Sequence, residues 1–297
     1  MRALLDASQS WAQLTARSQV LASAAAQCDA VEAWGRESRD HQYRMMWARV
    51  LVQRTLHTHR RGQHGAYALA EEARKACHLA ITFMPESPLP WVALLALAPL
   101  DSPHPRERLP ENRQTCWEPG IPEGPWGLLH EADKRDAFNR EAWHHALRAL
   151  LAYQVSAEGA VNFSRWASLS APRESAVRLL PLYVHVERFR RRHNRAETPR
   201  LHWAGSGISF YTLRAANEWF PHTDKTTWSP LDLNHLAQAL HHGGTPARDV
   251  FEAIGSCATR TPWQDIAPDG RSWQEEFLQA RHLRLHERGL PRAGGLT

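Results

Sequence analysis

Apolar residues recur along most of the chain at intervals of three and four, the spacing that lines one face of an α-helix. No run of alternating β-branched residues competes with that pattern. The sequence therefore predicts an all-α protein, with helices over about 8–33, 40–60, 64–84, 88–98, 125–135, 139–154, 157–170, 174–193, 207–220, 231–242, 246–256 and 272–288. The longest apolar run, PLPWVALLALAPL at 88–100, is bounded by prolines. It falls short of the roughly 20 residues that span a bilayer, which predicts a buried helix and no membrane segment.

Between Pro99 and Pro125 the chain also carries Pro103, Pro105, Pro110, Pro119 and Pro122. Each proline removes an amide donor and biases its predecessor away from helix, so a long irregular loop is expected over 99–125. A second irregular stretch, NRAETPRLHWAGSG at 194–207, suggests a helical-repeat domain over 1–193 and a C-terminal helical extension over 207–297.

One pattern returns along the chain. It reads Ala73-x3-Cys77-x2-Ala80-x4-Pro85 followed by Trp91-x2-Leu94, then Leu129-x2-Ala132-x4-Ala137 followed by Trp143-x2-Ala146, then Ala160-x3-Ser164-x2-Ala167-x4-Pro172. The interval from Ala80 to Trp91 equals that from Ala132 to Trp143. Over about 64–190 this resembles the tetratricopeptide repeat, whose small residues let paired helices approach and whose proline ends the second helix. Leu233-x2-Leu236-Ala237-x2-Leu240, then Ala247-x3-Phe251, suggests one more hairpin. The resemblance implies stacked antiparallel helical hairpins in a right-handed solenoid. Trp91, Trp143, Ala80, Ala132, Pro85 and Pro172 would be its packing residues. The chain departs from the family at Ala137, which replaces a proline, at Leu95, where glycine is usual, and at the proline-rich loop.

In that register NREAWHHALRALL at 139–151 sends Trp143, Ala146, Leu147 and Leu150 to the packing face. His144 and Arg148, four apart, share another face. In the family that face lines a groove, so the resemblance implies that His144 and Arg148 bind an acidic segment or chain terminus of another protein. Arginine suits the task because its planar fork gives a carboxylate two hydrogen bonds. An ordinary solvated face is the plainer alternative. The combination of Asn139, Trp143, His144 and His145 also resembles one repeat of protein prenyltransferase α subunits, in a single copy.

Other chemistry is sparse. Glu141 and His144 make one E-x-x-H where a di-iron bundle needs two. His282 and His286 lack the glutamate of H-E-x-x-H, and GSGIS at 205–209 lacks the lysine of a phosphate loop. No metal or cofactor is expected. Cys28, Cys77, Cys116 and Cys257 are dispersed, which fits a reducing cytoplasm. The formal charge is +5, carried almost wholly by arginine, with Lys75, Lys134 and Lys225 the only lysines. This bias, with abundant alanine, fits a GC-rich genome of the actinobacterial kind. ERFRRRHNR at 187–195 either complements a helix C-terminus or meets nucleic-acid phosphates. A non-catalytic protein- or peptide-binding scaffold is the expected function. An all-α enzyme or accessory subunit and an arginine-rich nucleic-acid-binding regulator stand as alternatives.

Overall fold

The structure, a computed structural model, describes residues 1–102, 104–153, 157–191, 199–267 and 270–286. They form helices joined by turns, and the described residues contain no strand, only an isolated bridge between Gln114 and Gly124. Packing divides the chain into two units, residues 1–166 and 167–297, with the division inside one helix. The sequence had placed a boundary after residue 193. No helix among the described residues is long and apolar enough to cross a membrane.

The first unit comprises α1 (Arg2–Asp6), α2 (Trp11–Ala25), α3 (Ala30–Glu37), α4 (His41–Arg60), α5 (Ala66–Phe83), α6 (Leu89–Leu97), α7 (Trp126–Arg135), α8 (Arg140–Ala152) and most of α9 (Ala157–Ser170). Helix α6 is the expected apolar run. Val92 to Leu97 are all buried, and α4, α5, α7 and α8 surround them. On α5 the small residues Ala73, Cys77 and Ala80 have no exposed surface, and α4 packs closely on that helix. Ala132 of α7 is equally buried. Pro85 follows the end of α5 and Pro172 the end of α9, both on the surface.

The single helix expected over 8–33 is two helices. Arg54 of α4 donates to the carbonyls of Ala26 and Cys28, at 3.2 and 2.8 Å, and to the Glu32 carboxylate at 2.6 Å. The turn between α2 and α3 thus has its carbonyls satisfied from outside, which a sequence pattern does not encode. The proline-rich loop is irregular as expected, with short 3-10 turns at Ala98–Leu100, Pro105–Glu107 and Pro110–Asn112. Asp101 organises part of it, accepting from the amides of Ser102 and Leu109 and from the Asn112 side chain.

The second unit contains α10 (Leu180–Arg191), α11 (Pro199–Trp203), α12 (Ser206–Arg214), α13 (Phe220–His222), α14 (Pro230–His242), α15 (Arg248–Ile254), α16 (Arg260–Ile266) and α17 (Trp273–His286). Residues 215–219 carry α12 into α13 through a π-helical turn. Helix α14 is the centre, buried all round from Asp232 to Leu240 and touching α10, α11, α12, α15, α16 and α17. Helix α16 has no counterpart among the expected elements because Pro262 and a short span obscure it. Its Trp263 is fully buried and donates to Asn234 Oδ1 of α14 at 2.8 Å.

Candidate binding site on α8

Helix α8 begins at Asn139, whose side chain accepts from the Ala142 amide at 3.0 Å, a standard N-cap. Just before it Phe138 takes a positive φ of 55°, and its amide donates to Asp133 Oδ1 at 2.8 Å. The same oxygen receives Trp143 Nε1 at 2.9 Å. The Trp143 ring lies against Phe138, Phe163 and Trp166, with centroids 5.6, 5.8 and 5.5 Å away, and is 4% exposed. Trp143 is therefore a packing residue of the first unit. Trp91 lies elsewhere. It is half-buried, the Arg135 guanidinium sits 5.2 Å from its ring, and its Nε1 has no hydrogen-bond partner among the described residues. Arg135 also donates to the Pro85 carbonyl at 2.5 Å, tying down the turn that Pro85 begins. Equal spacing in sequence thus leads the two tryptophans into different surroundings.

The groups that sequence reasoning did not join are Arg49 and Glu141. Arg49 Nη2 donates to both Glu141 oxygens, at 2.9 and 2.7 Å, and both side chains are almost wholly buried. His145 Nε2 lies 3.2 Å from Glu141 Oε1. Burial alone would raise the Glu141 pKa. The Arg49 charge and the His145 hydrogen bond outweigh it and hold the carboxyl at about 2. Burial lowers the His145 pKa against the pull of Glu141, which favours the neutral imidazole, and a proton on Nε2 is the tautomer that can donate to the carboxylate. Among the described residues, Arg49 Nε and His145 Nδ1 meet no hydrogen-bond partner. A narrow crevice runs beside the pair, lined by Val52 and Gln53 of α4 and by Ala93 and Ala96 of α6. A lone arginine in MMWARVLV and a lone glutamate before AWHHAL were the available signals, because an isolated charge in an apolar run needs an opposite partner.

His144 and Arg148 are placed differently from each other. His144 is buried, whereas Arg148 is exposed. Seven residues separate Glu141 from Arg148, close to two helical turns, so both lie on one stripe of α8. Eleven residues separate Arg49 from Arg60 on α4, close to three turns. The two stripes share the ion pair, and Arg60 is near enough to Arg148 to act on it. Desolvation by surrounding atoms, then the Arg60 charge, lower the Arg148 pKa, while Arg148 makes no hydrogen bond or ion pair among the described residues. The remaining basic and metal-like motifs form no comparable site. Arg190 and Arg191 of the basic run both bind Glu187, and residues 192–195 lie outside the described residues. His282 and His286 have ring centroids 4.5 Å apart, but no group of three potential metal ligands occurs among the described residues.

The chain matches no protein-family model, no curated protein and no solved structure. An all-helical protein is established. A tetratricopeptide assignment is not.

Proposed function

We propose that the first unit is a non-catalytic helical scaffold of tetratricopeptide-like build that binds an acidic segment of another protein through Arg148 and Arg60. One observation carries this: Arg148 is exposed, partly desolvated, within reach of the Arg60 charge and paired with no carboxylate among the described residues. Two neighbouring guanidinium groups repel, and an incoming carboxylate relieves that repulsion while accepting paired hydrogen bonds. The packing of α6 against both α4 and α8 supports the reading, since it sets the helices that carry Arg60 and Arg148 around one support. Arg148 and Arg60 make the contact. His144, a turn earlier on α8, is buried.

The test is fluorescence anisotropy with a labelled oligo-glutamate peptide. Replacing Arg148 with alanine weakens binding by about 1.5–3 kcal/mol, the range for a hydrogen bond to a charged group, with little change in melting temperature. Arg60→Ala has the same direction, and binding of the native chain weakens as salt rises. Equal affinity of the native and Arg148→Ala proteins refutes the reading.

A further inference from the structure

A second feature of the first unit lies outside that strip. A cleft of about 150 Å³ opens between the end of α4, the first half of α5 and the proline-rich loop. That volume is well below the roughly 300–1,000 Å³ of pockets for drug-sized ligands and similar to cavities that admit a single benzene. It suits a molecule the size of a free amino acid.

The lining is mixed in charge and in polarity. Arg74 gives one nitrogen, Nη1, to Glu71, and its Nε and Nη2 donate to nothing among the described residues. This leaves part of the guanidinium fork available to a carboxylate. Asp101 lies on the opposite, loop-borne side, held in place by the amides of Ser102 and Leu109 and by Asn112. Among the described residues its Oδ1 accepts a single bond, which leaves capacity for another donor. Leu100, Leu109 and Tyr67 supply apolar wall. A simple anion would meet Asp101 and Glu71 unfavourably, and a simple cation would meet Arg74. One molecule bearing both charges satisfies both sides.

We infer that this cleft is a binding site for a small zwitterion of the amino-acid class, its carboxylate on Arg74, its ammonium toward Asp101 and Glu71, and its side chain against Leu100 and Leu109. The site is distinct from the one that contains Arg148, and either stands without the other.

Titration calorimetry on the full chain tests it, with the standard free amino acids as first probes. For the best binder, the N-acetyl and the C-terminal amide derivatives then follow, each lacking one charge. Binding of a free amino acid, weakened about tenfold or more by either cap, is the expected result. Arg74→Gln abolishes that binding while its melting curve matches the native one. Glu71→Gln, at an exposed carboxylate, weakens it less and covers the case in which Arg74→Gln perturbs the fold. No heat with any free amino acid, equal binding of either capped form, or binding that survives Arg74→Gln overturns the inference.

Discussion

Arg49 and Glu141 show how much one contact decides. They lie 92 residues apart, and each alone would be an uncompensated charge in an apolar setting. Replacing Arg49 with methionine should cost about 3–5 kcal/mol, because Glu141 is left buried and unpaired. Replacing both, with Arg49→Met and Glu141→Leu, should recover most of that loss, since the pair's own attraction is largely spent on desolvation. A double-mutant cycle in urea measures the difference, and additive losses would contradict it. At this scale the sequence was least legible. It drew attention to α8, because His144, His145 and Arg148 stand out there. Which of them meets solvent depends on the helices packed around α8, and no local pattern encodes that. The partner of Glu141 was equally out of reach, being supplied by another helix.

Helices were far easier to read. The apolar spacing found α4 to α9 within a few residues because each buries a continuous face, and the prolines announced the irregular 99–125 loop. Failures fell where an element depends on distant groups or on few residues. Arg54 closes the turn between α2 and α3, and α16 is only a short helix that begins beside Pro262. The matched tryptophans give the clearest case. Small residues one helix earlier are buried in both copies of the sequence pattern, yet Trp143 enters an aromatic stack with a bonded Nε1 while Trp91 stays half-exposed. Trp143→Ala should therefore cost about 3–5 kcal/mol, and Trp91→Ala distinctly less. Equal losses in thermal unfolding would show that the two positions are equivalent after all.

For the molecule as a whole, acid should weaken the two units to different extents in each pH window. In the second unit burial, aided by Arg284, lowers His241 to about 4, and burial with the His241 and Arg284 charges lowers His242 to about 3. A histidine that refuses its proton in the fold favours unfolding as pH falls, so this stability is whole above about 6.5 and declines from there toward about 3. Glu141 works in the same direction over a lower window. Its folded pKa of about 2 stabilises the first unit above the ordinary value of 4.5, and that contribution is lost as pH falls from 4.5 through 2. Buried His145 gives the first unit a share of the same loss below about 6.5, so hydrogen exchange followed by mass spectrometry should register the larger weakening between pH 6.5 and 4.5 in residues 167–297, where two histidines refuse the proton. His242→Leu should flatten the dependence between pH 6.5 and 4. A first unit that loosens more over that range would reverse the assignment.

Cys77, set among the small residues of α5, makes the first unit its own timekeeper. Burial drives its thiol pKa to about 12, while Cys28 and Cys257 lie exposed on the surface. The thiolate is the reactive form, so an alkylating reagent should mark the exposed pair at once and reach Cys77 only when α5 parts from α4. With reagent in excess, the labelling rate of that one sulfur reports how often the helices open. It allows the breathing of the native scaffold to be clocked, with and without an acidic peptide, without any foreign probe in its core.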